Sequence, residues 1–270
     1  MDGGQTWHRV GRIPESQSFR FFQFLNHSDG WVLTIPKSAL GSEVYDVFQT
    51  VNGGQSWRRV WPHTSLKYMV GGLGDVGSMT FRTRKTGWIT GGYYGTGMVY
   101  FWMTNTGGES WKKGNLSLPT NASNLMIQPA APQFFGSSLR YGVLSVVIGF
   151  RLYIYHSQNG GLTWRPSGSY KMSSGGVQGP FFQTENRGWL WVSAQNGRSG
   201  GYLMRTTDGG EKWHALYRTT DWSGRLQLDF VSTSVGWALC DQGPHKGLYR
   251  TIDGGVSWRK IGRLGAADRG

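Results

Sequence analysis

Short runs in which apolar and polar residues alternate recur from one end of the chain to the other. VYDVFQT (44–50), MVYFWMT (98–104), RLYIYHS (151–157), GYLMRT (201–206) and KGLYRT (246–251) share this pattern. They are rich in aromatic and β-branched residues and are bounded by Gly, Asn and Asp, which marks strands. Other runs keep step with them. A Phe-containing run (FRFFQFL, GSMTFR, PQFFG, GPFFQ, LQLDFV) precedes a Gly-Trp run: GWVLT at Gly30, GWITG at Gly87, YGVLS at Tyr141, GWLWV at Gly188 and GWALC at Gly236. A run that starts on Trp (SWRRV, SWKKG, TWRPS, KWHAL, SWRKI) comes last, so four strands repeat in a fixed order.

The connection between the third and fourth runs is the most regular feature. It reads MDGGQTW (1–7), TVNGGQSW (50–57), TNTGGESW (104–111), SQNGGLTW (157–164), TTDGGEKW (206–213) and TIDGGVSW (251–258). The first glycines fall at 3, 53, 107, 160, 209 and 254, at intervals of 50, 54, 53, 49 and 45. Four short antiparallel strands in each ~40–50 residues describe a propeller blade. The expected fold is therefore all-β, a β-propeller of four-stranded antiparallel blades, with five complete blades after an N-terminal partial one. The expected boundaries are 1–14 for the partial blade, then 15–62, 63–116, 117–168, 169–218 and 219–263, with a tail at 264–270, all in a single domain. Residues 1–12 supply only a turn and one outer strand. A propeller closes to hide its sheet edges, so the expectation is a parent ring of six or seven blades, or an N-terminal strand docked in a non-standard way.

The repeated turn has a direct physical reading. Adjacent glycines permit the positive φ values of a tight connection. The residue before them accepts hydrogen bonds from turn amides, and the Ser or Thr two positions earlier adds a hydroxyl bond. The Trp buries on the order of 150–250 Å² beneath the turn. The copies carry Asp2, Asn52, Thr106, Asn159, Asp208 and Asp253 at the acceptor position. Asn and Thr replace Asp as an acceptor but not as a titrating acid or a nucleophile. Asp2, Asn52, Asn159, Asp208 and Asp253, with Trp7, Trp57, Trp111, Trp164, Trp213 and Trp258, are therefore assigned to structure and not to catalysis.

Composition narrows the partner more than the fold. Charged residues make up 16% of the chain, aromatics 14%, and glycine occupies 43 positions, a mixture that suits short strands and tight turns. Lys and Arg total 28 against 15 Asp and Glu, for a net charge of +13 spread over the whole length. That balance favours anionic partners: acidic protein surfaces, lipid headgroups, acidic glycans or nucleic acid. Nucleic acid ranks low because no recognised nucleic-acid module is present. Cys240 is the only cysteine, so an intramolecular disulfide and a cysteine-rich zinc site are excluded, and it reads as a small buried apolar residue. Histidines 8, 27, 63, 156, 214 and 245 lack metal-ligand spacing, and no phosphate loop or nucleophile elbow appears, so no metal and no cofactor is assigned. No stretch reaches the ~18 apolar residues of a membrane span, and no signal-like apolar segment precedes the repeats.

The repeated turn matches the Asp-box, or BNR-repeat, pattern Ser/Thr-x-Asp-x-Gly-x-Thr/Ser-Trp over almost the whole chain. With its paired Gly-Trp strand, the chain resembles the photosystem II stability/assembly factor family within the sialidase-like superfamily. The resemblance implies a non-catalytic propeller that binds a protein or peptide partner, with the boxes at the outer rim and an extracytoplasmic location. The alternative is a glycoside hydrolase of the same superfamily. Sialidases in that superfamily use an arginine triad, an acid/base carboxylate and a Tyr–Glu pair. GRIP at 11–14 is similar to their aromatic-Arg-Ile-Pro motif, but Gly11 stands in the aromatic place and the fragment follows a box, so Arg12 is not assigned to a site.

In a blade of this kind, the strand two–three loops and the links between blades open away from the repeated turns. These loops carry Lys67, Tyr68, Tyr93, Tyr94, Tyr170, Lys171, Arg198, Arg218, Trp222, Arg225, His245 and Lys246. A basic, aromatic rim suits an acidic protein or peptide surface, with a glycan as the other candidate. Acids on the same loops are few: Glu43, Asp46, Asp75, Asp221 and Asp241. A glycosidase needs two facing carboxylates, roughly 5–10 Å apart. Asp229, on an innermost strand, is the one acid placed to reach a central channel, but it reads first as a hydrogen-bonded structural residue.

Overall fold

The computed structural model describes residues 8–14, 18–39, 42–61, 75–92, 99–120, 122, 125–172, 176–194, 200–242 and 245–262. The chain divides into two compact units, Met1–Pro132 and Gln133–Gly270. The first unit holds one sheet of β1 (Ser18–Phe24), β2 (Gly30–Ala39), β3 (Ser42–Thr50) and β4 (Arg58–Trp61). Its second sheet consists of β5 (Asp75–Phe81), β6 (Gly87–Gly92), β7 (Val99–Thr104) and β8 (Lys112–Lys113), and the short β9 (Ile127–Pro129) follows.

The second unit contains three sheets. They are β10 (Gln133–Phe135), β11 (Tyr141–Ile148), β12 (Arg151–Ser157) and β13 (Arg165–Lys171); β14 (Val177–Phe182), β15 (Gly188–Ser193), β16 (Gly201–Thr206) and β17 (His214–Thr219); and β18 (Ser223–Phe230), β19 (Gly236–Gln242), β20 (Gly247–Thr251) and β21 (Arg259–Gly262). Within each, neighbours in the chain pair antiparallel, giving five four-stranded blades of the β-propeller class and no helix among the described residues.

Two departures have local causes. Residues 8–13, expected as an outer strand, are irregular. Gly11 there lies so close to the Gly54 carbonyl oxygen that a side chain at this position has no room, and packing against the turn replaces a backbone ladder. Residues 114–120, 122, 125 and 126 are also irregular, with a Pro at 119 that cannot donate to a ladder, and β10 is only three residues long.

The Gly-Trp run is explained by the cross-strand pair. Phe81 lies opposite Gly87, and a Cβ on Gly87 would sit 2.6 Å from the Phe81 ring. The glycine leaves room for the Phe, and the Trp beside it turns toward the next blade. Trp31 of the first blade stacks on Phe81 of the second at 4.0 Å and 9°, and its Nε1 donates to the Gly107 carbonyl at 2.9 Å. Trp189 of the fourth blade repeats this on Phe230 of the fifth at 3.7 Å and 4°, with Nε1 donating to Gly254 O at 2.9 Å. Trp31 and Trp189 are fully buried.

The seam between the third and fourth blades is built differently. Val143 occupies the Trp place, opposite His156 on β12, and His156 reaches Gly209 O at 2.7 Å instead. Glutamines add a second tie between inner strands. Gln23 Nε2 donates to Phe81 O and its Oε1 accepts from Phe81 N, at 3.0 and 2.6 Å, and Gln133 does the same toward Pro180 O and Phe182 N at 3.2 and 2.9 Å.

Candidate binding surface

The repeated turn has the same hydrogen bonds in each described copy. In the last one, Thr251 Oγ1 donates to Asp253 Oδ1 at 2.7 Å and accepts from Gly255 N at 2.9 Å. Ser257 N donates to Asp253 Oδ1 at 3.0 Å. Asn159 serves in the same way, accepting from Ser157 Oγ and Thr163 N, both at 3.0 Å. Thr106 accepts from Ser110 N at 2.9 Å, so the acceptor need not be an acid. Both glycines of every described pair have positive φ, from 69° to 103°. Trp258 closes the turn by donating Nε1 to Gly255 O at 3.1 Å.

These bonds set the acid's charge. Burial pulls the Asp253 carboxyl upward, but hydrogen bonds from the Ser257 hydroxyl and amide and from Thr251 outweigh it and hold the carboxyl down at about 2. Asp208 is lowered the same way, with burial opposing and the Lys212 amide and Thr206 hydroxyl prevailing. A carboxylate this acidic is a fixed acceptor and a poor proton donor near neutral pH.

The opposite strand ends in the second unit carry the other expected residues. Tyr170 and Lys171 end β13, opposite Leu152 and Arg151; Tyr170 is half-buried in the core that contains Leu152 and Val192, and Lys171 is exposed. Arg218 is exposed on β17, with its guanidinium 5.2 Å from the centre of the Tyr202 ring. His245 and Lys246 are exposed; the His245 carbonyl accepts from Tyr249 OH at 2.6 Å, and its Nε2 lies 3.9 Å from Asp221 Oδ1. Burial raises the Tyr249 hydroxyl above its ordinary pKa, so it stays a donor at this edge.

Trp222 corrects the expectation of an exposed aromatic. It is 2% exposed and packs among Trp191, Tyr217, Tyr249 and Trp258 at 5.3–5.5 Å, because its carbonyl, accepting from Gly200 N, folds the link inward. Asp46 is likewise no loop acid: it is buried within β3, with Arg59 Nε 3.5 Å away. Asp229 is exposed on β18, and Cys240 is buried in the core. Lys67, Tyr68, Tyr93, Tyr94, Arg198, Asp2 and Trp7 lie outside the described residues, as does the Arg225 side chain. Among the described residues no helix is long and apolar enough to cross a membrane.

Sequence reasoning missed His156, whose seam role shows only when Val143, its cross-strand partner, is aligned with the tryptophans.

No protein-family model matches the chain. It is similar to the photosystem II stability/assembly factor HCF136, chloroplastic, of Arabidopsis thaliana, at 24% identity over 273 residues. That match takes in 96% of this chain and 60% of the relative, so the chain spans about three-fifths of the length of the curated relative it matches. Among solved structures, YCF48 bound to D1 peptide aligns over 93% of this chain and 82% of its own, at 16% identity and a TM-score of 0.42. The GH74 enzyme of Niastella koreensis aligns over 86% of this chain and 36% of its own, at 17% identity and a TM-score of 0.54. The latter shows a shared fold alone.

Proposed function

We propose that this chain is a non-catalytic propeller scaffold that binds a protein or peptide partner, as an assembly factor does. The carrying observation is the similarity, across 96% of the chain, to a protein named as a photosystem II stability/assembly factor. The basic edge formed by Lys171, Arg218, His245 and Lys246, within a chain of net charge +13, supports an acidic partner. The repeated turn is read as an Asp box of the BNR type, a structural element and not a catalytic one. An extracytoplasmic location accords with this reading.

The test is partner capture with wild type and with Arg218→Glu plus Lys246→Glu, each captured protein then measured as a purified pair. Retention is expected to fall at least tenfold in the variant and to weaken with salt. Unchanged partners would remove this edge from consideration. Turnover of a glycoside by the purified chain would sink the scaffold reading in favour of a sialidase-like hydrolase.

A further inference from the structure

The seam between the fourth and fifth blades, both in the second unit, carries two arginines where the first seam has an ion pair. The β1–β2, β14–β15 and β18–β19 turns share one backbone form. Leu25 N donates to Asp29 O, Gln183 N to Arg187 O and Val231 N to Val235 O, at 2.9–3.1 Å. Each turn ends at the glycine that faces a Phe, so Asp29 and Arg187 are equivalent. Asp29 points across its seam to the matching turn of the next blade, where Arg84 Nε lies 3.2 Å from its Oδ1. In the fourth blade Arg187 takes the place of that acid, and in the fifth Thr233 takes the place of Arg84.

Arg205 brings a second guanidinium to the same end of the seam. It lies directly opposite Trp189, whose side chain shares a face with that of Arg187 two positions earlier. A Cβ on Gly254 would lie 3.9 Å from Arg205 Nη1, so this group reaches the repeated turn of the fifth blade, as His156 reaches Gly209 one seam earlier. Both arginines are part-buried, and among the described residues neither has an ion pair. The acid beside Gly254 is already engaged: Thr251 and the amide and hydroxyl of Ser257 hold the Asp253 carboxylate. Facing the arginines, the Ser232–Thr233–Ser234 turn offers three hydroxyl side chains and no carboxylate.

We propose that Arg187 and Arg205 form an oxyanion site that takes a phosphate group. Two guanidiniums match a group that carries close to two negative charges and three terminal oxygens, and a turn hydroxyl serves the third oxygen. A carboxylate, with one charge and two oxygens, leaves one arginine unmatched. Free phosphate and a phosphorylated serine on a partner segment present this same chemistry. The second source rests on the reading of the chain as a peptide-binding scaffold; the site itself does not, and it lies at the other strand ends from the Arg218–Lys246 edge.

The test reads urea midpoints of the whole chain near neutral pH in phosphate and in sodium chloride of equal ionic strength. About 50 mM phosphate is expected to raise the wild-type midpoint, and to raise that of Arg187→Gln plus Arg205→Gln less than half as much. The general salting effect of phosphate is common to both and cancels in the comparison. Arg187→Asp plus Thr233→Arg rebuilds the ion pair of the first seam. It is expected to keep its midpoint in chloride and to lose the phosphate response, which separates binding from folding. Anisotropy of a fluorescein-labelled Gly-Gly-phosphoserine-Gly-Gly peptide is then compared with its Ser and Glu forms. A preference of at least about tenfold over both is expected, unchanged by Arg218→Glu.

A phosphate response shared equally by wild type and both double variants would overturn the site, as would a Glu peptide held as well as the phosphopeptide. Phosphopeptide held more tightly than inorganic phosphate assigns the partner-borne source, and the reverse assigns free phosphate; either supports the site. If the site fails while edge-dependent capture persists, the scaffold reading stands. If phosphate binds here while capture fails, the site stands without that reading.

Discussion

Phe24 and Phe81 occupy the same place in consecutive blades, opposite the glycine of a Gly-Trp run, yet one is 43% exposed and the other 2%. The residues around them differ as sharply. Phe19 and Phe22 are 62% and 77% exposed, whereas their counterparts Val76 and Met79 are 9% and 6%. Local sequence does not separate the pairs, because both lie on inner strands with the same cross-strand partner. The difference is that Trp31 covers Phe81, while no described side chain stacks on Phe24. A blade is thus half a core: its turns fold it, and a neighbour's tryptophan finishes it.

The largest break in that contrast is expected from Trp189→Ala. It removes a fully buried indole, its stack on Phe230 and its bond to Gly254 O, at a cost of ~3–5 kcal/mol in urea unfolding. A loss under about 1 kcal/mol would show that the seam is not what secures the last blade. Thr206→Val comes next. It keeps the shape but leaves the buried Gly210 amide without its acceptor, for about 1–3 kcal/mol, and hydrogen exchange at that amide should rise. His156→Ala tests the substitute seam and is expected to cost ~1 kcal/mol, since it removes one bond and no stack. Phe24→Ala, at the uncovered counterpart, should stay within about 1 kcal/mol of wild type. A loss matching that of Trp189→Ala would mean Phe24 is covered in solution.

The smallest effect at neutral pH belongs to Asp253→Asn, because Asn159 already does this work elsewhere. Its signature is in acid. The Asp253 carboxyl is held at about 2 in the folded chain against an ordinary 3.8, so its stabilisation is full above 3.8 and fades as pH falls through about 2. Urea midpoints of wild type and Asp253→Asn, close together at neutral pH, should therefore separate on acidification, the wild type losing stability between those values and the variant losing less. Parallel acid profiles would show that the turn does not depend on the charge.

Much of this architecture was readable in the residues. The glycine pairs announced positive φ, and the spacing of FRFFQF, GWVLT and VYDVFQT placed β1, β2 and β3. The replacement of Asp by Asn52, Asn159 and Thr106 pointed to an acceptor before any hydrogen bond was seen. Other readings failed for a common reason. Trp222, in a polar link between blades, reads as a rim aromatic, but it turns inward onto aromatics contributed by both blades that the link joins. Asp46 reads as a loop acid because VYDVFQT does not reveal that Arg59 comes alongside from the neighbouring strand. His156 is mute until the missing tryptophan at Val143 is noticed.

The sequence by itself determined the strands, their order and the chemistry of each turn. Those depend on contacts within a few positions, such as Thr251 with Asp253 and Gly255, where little chain entropy stands between the pattern and the bond. Only the tertiary structure decided which aromatics are covered. Trp31 reaches Gly107 across 76 positions, and Trp189 reaches Gly254 across 65. Whether a Phe becomes core or surface depends on the blade that packs against it, which is why Phe24 and Phe81, alike in sequence, end in opposite environments.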